Sequence, residues 1–201
     1  MIRLLVADDE TLIRDALVSL LELEDDVEVV TVAASGQEAV TAARHHQPDV
    51  AMLDLQMPGL DGIDAAVEIL REQPDCRCII VTGHGRPGHL KKALAAGVRG
   101  FLPKTVAAST LARVIREVAA GGRHVDPQLA AEAMAAGDSP LTAREADVLE
   151  LAADGAPVEE IALRAHLSPG TVRNYLSSAV AKLGTSNRHE AIQRAQRQGW
   201  L

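Results

Sequence analysis

The sequence lacks any apolar run of 18 residues, so no transmembrane helix is predicted. Residues 1–6 lead directly into a strand-like pattern, without the charged and apolar regions of a signal peptide. Only two cysteines are present, Cys76 and Cys78, and their spacing on a probable strand favours buried thiols over a metal site. These absences predict a cytoplasmic protein that does not insert into a membrane.

The sequence also lacks an excess of basic residues, which at first argues against a nucleic-acid partner. It contains 28 acidic residues and 20 Lys and Arg residues, for a net charge of −8. The charge is uneven, however, because residues 164–201 contain six Lys or Arg residues and one acid, Glu190. Six minus one gives this segment a local charge of +5, which is typical of a surface that meets phosphate.

A length of 201 residues suits two domains better than one. Residues 1–122 alternate short apolar strands with helices, which predicts a doubly wound α/β domain with a five-stranded parallel sheet. The predicted strands are residues 2–7, 27–33, 49–53, 78–82 and 99–102. The predicted helices are residues 11–23, 36–46, 61–72, 87–96 and 108–120, the fourth being weak.

No strand is predicted after residue 122. Residues 123–140 are interpreted as a linker with a short helix at 126–136, and residues 141–201 as an all-α domain of four helices. The first of these helices begins after Thr142, which has Glu145 at the capping-box spacing. The other three are expected at residues 158–165, 168–183 and 187–198.

Polar side chains lie at or just after the ends of four predicted strands: Asp8 and Asp9, Asp54, Thr82, and Lys104. Because the carboxyl ends of parallel strands share one edge of a sheet, these side chains can meet there. Three carboxylates together repel each other, and a hard divalent ion such as Mg²⁺ relieves that repulsion with oxygen ligands. A lysine and a hydroxyl beside the ion suit a phosphoryl group.

This set of residues resembles the receiver domain of bacterial two-component response regulators, over about residues 1–120. The resemblance implies that Asp54 is the phosphoacceptor. It also implies that Asp9, Asp54 and the backbone carbonyl of Gln56 hold Mg²⁺, with Asp8 contributing directly or through water. The partner that such a domain requires is a sensor histidine kinase.

The same resemblance assigns the residues that respond to phosphorylation. Lys104 would pair with the phosphoryl group, the Thr82 hydroxyl would follow it, and Gly83 would leave room for it. Phe101 matches the switch aromatic, which turns inward as Thr82 moves. Residues 83–89 contain three glycines and a proline, so they form either a longer loop or a segment that orders only on phosphorylation.

A helix–turn–helix is predicted from residues 158–165 and 168–183. Ser168 caps the second helix and Pro169 occupies its first position. Its apolar residues recur at helical spacing, and the opposite face carries small or hydrogen-bonding residues that suit base edges in a major groove. The candidate DNA contacts are Thr171, Arg173, Asn174 and Ser177, together with Lys182 and Arg188 near the DNA backbone; Ser178 is placed on the same outer face.

Spacing alone leaves open a dimerisation module, but the sequence resembles the LuxR-type helix–turn–helix. The matching stretches are residues 141–145, 160–162, 167–168, 171–174 and 182–184. Joined to a receiver, such a domain is typical of the NarL/FixJ class, and residues 174–178 with the ending 199–201 resemble its DesR-like members. Pro157 and Glu159 depart from the family pattern, since a capping residue and a basic residue are expected there.

Three functions follow from these patterns. The first is a transcription factor in which phosphorylation of Asp54 promotes homodimerisation and binding to double-stranded promoter DNA. The second is a haloacid-dehalogenase-type phosphatase, which is disfavoured because Gln56 stands where a general acid is needed. The third is an atypical regulator that binds DNA independently of phosphorylation. We therefore predict a non-enzymatic switch that catalyses at most its own phosphotransfer and dephosphorylation.

Overall fold

The structure is a computed structural model that describes residues 1–83, 87–135, 139–198 and 200–201. The chain forms two compact units, and the main division between them falls between Leu129 and Ala130. Within the described residues, no helix is long and apolar enough to cross a membrane.

The first unit contains a parallel sheet of six strands in the order β2-β1-β3-β4-β5-β6. The strands are β1 (Ile2–Ala7), β2 (Val27–Ala33), β3 (Val50–Asp54), β4 (Arg77–Thr82), β5 (Gly100–Pro103) and β6 (His124–Val125). The prediction of a doubly wound parallel sheet is confirmed, but its strand count of five is wrong. The sixth strand has only two half-buried residues, too few to produce an apolar pattern, and it lies in the segment that we interpreted as a linker.

The helices of this unit alternate with the strands. They are α1 (Thr11–Leu21), α2 (Gly36–His46), α3 (Gly62–Glu72), α4 (Pro87–Ala95) and α5 (Ala108–Ala119), and α6 (Pro127–Ala135) crosses the division between the units. Because helices cover both faces of a doubly wound sheet, the central strands are mostly apolar. All five residues of β3 are buried, including Asp54.

One face of the sheet packs on α1 and α5. Even-numbered residues of β1 and β3 and odd-numbered residues of β4 point to this face, as the period of two in a strand requires. The buried residues of this core are Leu4, Val6, Leu21, Val27, Val50, Met52, Ile79, Val81, Leu102, Leu111, Val114, Ile115 and Val118. The strand residues that face these helices therefore alternate with residues that face the other side of the sheet.

The segment around residues 83–89 is only partly described. Residues 84–86, three of the seven residues of the predicted loop or ordering segment, lie outside the described residues. Helix α4 begins at Pro87, where the sequence predicted a weak helix to begin.

The second unit contains four further helices, as predicted. They are α7 (Ala143–Leu151), α8 (Val158–Ala165), α9 (Pro169–Lys182) and α10 (Arg188–Arg197). Ser168 and Asn187 each cap the following helix by accepting a hydrogen bond from the backbone N–H three residues on. Pro157 provides no side-chain cap to α8, as expected from the departure at that position.

The core of the second unit is built from residues at helical spacing on all four helices. Leu149, Ile161, Val172, Ala179 and Ala191 are fully buried, and Trp200 packs against their cluster. Because Trp200 is the sole tryptophan of the chain, its fluorescence reports on this core.

Candidate functional site

Three carboxylates meet at the carboxyl edge of the sheet. Asp8 and Asp9 directly follow β1, Asp54 ends β3, and these two strands are neighbours. One carboxylate oxygen from each lies within 4.8 Å of the others. Asp8 and Asp54 are only 2% and 5% exposed, whereas Asp9 is exposed to solvent. The structure therefore brings together the acids that the strand-end pattern predicted.

Lys104, which follows β5, reaches into this cluster. Its Nζ lies 2.8 Å from Asp8 Oδ2, 3.2 Å from Asp54 Oδ2 and 3.1 Å from Glu10 Oε1. Burial by itself would lower the pKa of Lys104, but the three carboxylates outweigh it and raise that pKa above its usual range. Lys104 is therefore a fixed positive charge between the acids.

Glu10 was not among the predicted site residues. It lies just before α1 and its side chain is largely exposed, yet it supplies the third carboxylate on Lys104. The signal that could have identified it is its place directly after Asp8 and Asp9 at the same strand end. Its contact spans 94 positions, so only the folded sheet shows it.

The electrostatics of the site favour a cation. The pKa of Asp54 is raised to about 6, mainly by burial, with Lys104 lowering it and the neighbouring charges of Asp8 and Asp9 adding to the rise. Four carboxylates with one ammonium group leave an excess of negative charge. The ligands are hard oxygen donors, so the residues present fit Mg²⁺, which takes carboxylates and water.

The other predicted receiver residues lie on or beside the neighbouring strands. Thr82 ends β4, is buried, and accepts a 2.7 Å hydrogen bond at its carbonyl from the Lys104 N–H. Gly83 follows it, is exposed, and has open space around its Cα, since an added Cβ would meet nothing within 4 Å. Gln56 lies two residues after Asp54 with its side chain exposed.

Phe101 lies in the middle of β5 and is fully buried. It pairs with Ile80 on β4 and with Val125 on β6. Without the short strand β6, β5 would be the edge strand of the sheet. The Phe101 carbonyl also accepts a 3.0 Å hydrogen bond from the Asp126 N–H. The aromatic side chain therefore has the inward orientation.

The start of α3 lies against the backbone of Asp54. Gly62 begins α3, and its N–H donates to the Leu55 carbonyl at 2.9 Å. A Cβ at Gly62 would lie 2.0 Å from the backbone oxygen of Asp54, which no real side chain tolerates. The glycine allows α3 to start against the end of β3, and the sequence analysis missed this role because nothing local requires a glycine there.

In the second unit, α9 presents the face predicted for DNA. Arg173, Asn174 and Ser177 are exposed on it, while Val172 and Leu176 are buried on the opposite side. Thr171, in the first turn, is half-buried, and its hydroxyl lies 2.8 Å from the Ser168 hydroxyl. The helical spacing therefore separated the two faces correctly at these positions.

Several cations of this unit have partners within it. Arg173 Nη2 donates to Glu159 Oε1 at 3.2 Å, and Arg188 Nη1 donates to the Ala156 carbonyl at 3.2 Å. Arg164 pairs with Asp154 at 2.7 Å and also contacts Glu160. Three of the six cations in residues 164–201, Arg164, Arg173 and Lys182, therefore pair with acids from before residue 164.

Glu145 is the buried acid that links α7 to α9. It accepts hydrogen bonds from Ser178 Oγ at 2.6 Å, Lys182 Nζ at 2.7 Å and the Thr142 N–H at 2.7 Å, so the predicted capping box is confirmed. Burial raises its pKa, but these donors outweigh burial and lower the pKa to about 2. The placement of Ser178 on the outer face was wrong, because its hydroxyl serves this internal acid.

Comparisons with known proteins agree with both units. The model of the response regulator receiver domain matches residues 4–116, and that of the luxR family of bacterial regulatory proteins matches residues 139–195. The transcriptional regulatory protein DesR of Bacillus subtilis (strain 168) is 44% identical over 201 residues, covering all of both chains. The response regulator RamR of Streptomyces coelicolor is 39% identical over 203 residues, covering 100% of this chain and 98% of RamR.

Solved structures show the same similarity. The response regulator ChrA of a heme-sensing two-component system has a TM-score of 0.59 and 30% identity, covering 100% of this chain and 98% of ChrA. The RcsB–DNA complex has a TM-score of 0.64 and 25% identity, covering 97% of this chain and 98% of RcsB. The chain therefore belongs to the NarL/FixJ class of two-component response regulators, which join a receiver domain to a LuxR-type helix–turn–helix domain.

Proposed function

We propose that Asp54 accepts a phosphoryl group from a sensor histidine kinase in the cytoplasm, and that this modification controls DNA binding by the second unit. The observation that carries the proposal is the cluster at the carboxyl edge of the sheet. Oxygens of Asp8, Asp9 and Asp54 lie within 4.8 Å of one another, and Lys104 contacts both Asp8 and Asp54. A nucleophilic carboxylate, a cation site and a fixed ammonium group are the parts that phosphoryl transfer needs.

Asp8, Asp9, Asp54 and the backbone carbonyl of Gln56 are the proposed ligands of Mg²⁺. When bound, the ion neutralises the carboxylates and the oxygens of the incoming phosphoryl group. Asp54 then acts as the nucleophile, and its ionised form is required because a protonated carboxyl attacks poorly. No general acid follows at Gln56, so the acyl phosphate is not set up for rapid hydrolysis.

Lys104 is proposed to pair with the phosphoryl oxygens. It already holds Asp54 at 3.2 Å, so a short movement places its ammonium group against the new charge. The Thr82 hydroxyl, at the end of the adjacent strand β4, is proposed to move toward the phosphoryl group, and Gly83 leaves space open beside Thr82. Phe101 completes the switch as the buried aromatic of β5.

The output is proposed to be promoter binding through α9 in the major groove. Arg173, Asn174 and Ser177 would reach base edges, and Thr171 at the helix N-terminus would donate to phosphate. Lys182 and Arg188 are proposed backbone contacts, although each is held by a protein group in the free domain. The similarity to the RcsB–DNA complex supports this assignment.

Phosphorylation is further proposed to promote homodimerisation, so that two copies read paired half-sites one helical turn apart. The described residues include an apolar row on and just after α1, in which Leu12, Leu20 and Leu23 are exposed. A surface of this kind is one that a second copy would cover. We propose the domain bounds 1–122, 123–140 and 141–201 for receiver, linker and DNA-binding domain.

The test uses full-length wild type, Asp54→Ala and Asp54→Glu, each with and without phosphoramidate and Mg²⁺. Mass spectrometry should show one added phosphoryl group on wild type and on the control variant but not on the two Asp54 variants, and sedimentation of the phosphorylated proteins should show a larger species that binds DNA more tightly. Asp75→Ala is the matched control, because Asp75 is an exposed aspartate outside the cluster. If wild type and Asp54→Ala behave identically, the protein binds DNA independently of phosphorylation and the proposal is wrong.

A further inference from the structure

Glu159 and Arg173 join the two helices of the helix–turn–helix on their exposed side. Glu159 is the second residue of α8, and Arg173 is the fifth residue of α9. Arg173 Nη2 donates to Glu159 Oε1 at 3.2 Å, with the two side chains 60% and 68% exposed. The contact therefore lies on the exposed surface of α9 that is proposed to meet DNA.

This ion pair contributes little to the stability of the domain. Water screens an exposed pair, and holding two long side chains in one geometry costs conformational entropy. The helices are already joined by the buried side chains of Ile161 and Val172. The contribution of this pair to folding therefore does not account for an acid at position 159.

An acid at that position is unfavourable for simple DNA binding. Glu159 stands where the family pattern has a basic residue, and a carboxylate near the DNA backbone repels phosphate. Its neighbour Glu160 is different, because Glu160 pairs with Arg164 within α8. The partner of Glu159 is instead the arginine that faces the bases, so its effect on DNA is exerted through Arg173.

We propose that Glu159 is a specificity-determining residue that orients the Arg173 guanidinium for contact with one guanine. The inference rests on the proposed function, in which Arg173 reads a base. The guanidinium carries five N–H donors in a rigid plane, so a carboxylate on one donor leaves the others free for guanine O6 and N7. Because the side chain is already fixed, less rotamer freedom is lost on binding.

The same carboxylate disfavours the wrong sequence. On the correct site, exclusion of water strengthens the pair and Arg173 satisfies both the carboxylate and the guanine. On other DNA, Arg173 lacks the guanine acceptors, and the charge of Glu159 still opposes the phosphates. Glu159 therefore lowers affinity for all DNA while it increases the difference between correct and incorrect sites.

The experiment measures specificity rather than affinity alone. A random-sequence duplex library is first selected with full-length wild type, and again with Arg173→Ala to locate the base pair whose preference is lost. Dissociation constants are then measured on the selected site, on the same site changed at that base pair, and on an unrelated duplex. The variants are Glu159→Gln, Arg173→Lys and the matched control Glu160→Gln, which removes the same charge one residue along α8. Trp200 fluorescence during urea unfolding checks that each variant folds.

Wild type should prefer guanine at that position by about tenfold to a hundredfold, as a bidentate arginine contact does. Glu159→Gln should reduce this preference at least threefold and bind the unrelated duplex about fivefold more tightly at low salt, since one repelled charge is removed. Arg173→Lys should also lose the preference, and Glu160→Gln should keep it. The proposal is overturned if Glu159→Gln raises affinity for all three duplexes by one factor, or if Glu160→Gln lowers the preference equally. If Arg173→Ala keeps the wild-type preference at every position, the proposed contact between Arg173 and a base is wrong. The Glu159→Gln result alone would not distinguish that outcome from a failure of the present proposal.

Discussion

Replacement of Glu145 by glutamine should destabilise the DNA-binding unit by about 2–3 kcal/mol at pH 7. Hydrogen bonds from Lys182, Ser178 and the Thr142 N–H outweigh burial and lower the pKa of Glu145 from 4.5 to about 2. One pKa unit is worth about 1.4 kcal/mol, which sets an upper limit of about 3.4 kcal/mol. The Lys182 side chain is 38% exposed, and solvent screening there reduces the limit to the stated range.

The effect should depend on pH with a definite sign. Because the pKa of Glu145 is lower in the folded protein, its contribution is fully present above the unfolded pKa of 4.5. The contribution is lost as the pH falls toward about 2, so the difference between wild type and Glu145→Gln should roughly halve between pH 5 and pH 3. Urea unfolding of the full-length protein, followed by Trp200 fluorescence, measures this unit specifically.

The control variant is Glu160→Gln, whose carboxylate lies in an exposed pair with Arg164 on α8. It should change stability by less than about 1 kcal/mol, as is typical of exposed pairs. The reasoning is refuted if Glu145→Gln costs no more than this control, or if its cost is the same at pH 3 and pH 7.

Three further predictions concern the receiver. Asp54→Asn should stabilise the metal-free receiver by about 1–2 kcal/mol at pH 7, because the pKa of Asp54 is raised above its unfolded value and its charge opposes folding. Calorimetry in EDTA measures this gain in stability, which should vanish below about pH 4. Gly62→Ala should lower the stability of the receiver by about 1–3 kcal/mol and slow phosphorylation from phosphoramidate, because the new Cβ collides with the Asp54 carbonyl. The control Gly83→Ala should fold normally in the same thermal unfolding measurements, because the space around Gly83 is open. Lys104→Met should raise the pKa of Asp54 above about 6 in a carboxyl NMR titration of metal-free protein, and an unchanged pKa would show that Lys104 does not act on Asp54.

Much of the fold was predictable because the patterns that specify it are local. Apolar runs located all five longer strands, and helical spacing located the buried side of α9. The capping positions Ser168 and Thr142 were correct because an N-cap is decided by the next three residues. The acids at the strand ends were also predictable, since parallel strands bring their carboxyl ends to one edge.

Other features depend on residues far apart in the chain, and no local pattern indicates them. The two residues of β6 become a strand only because β5 offers an unpaired edge beside them. Position 62 requires glycine because the start of α3 contacts the backbone of Asp54, and this contact exists only in the folded unit. Neither contact changes the periodicity of its own segment.

The sequence by itself determined the alternation of strands and helices in the first unit, the helical character of the second, and the placement of Asp8, Asp9 and Asp54 at one edge of the sheet. Tertiary structure alone decided how the charges pair. Glu10 joins Lys104 across 94 positions, and Glu145 accepts hydrogen bonds from Ser178 and Lys182 across 33 and 37 positions. The physical reason is that charge pairing requires direct proximity, and proximity between distant segments is set by packing rather than by the order of residues along the chain.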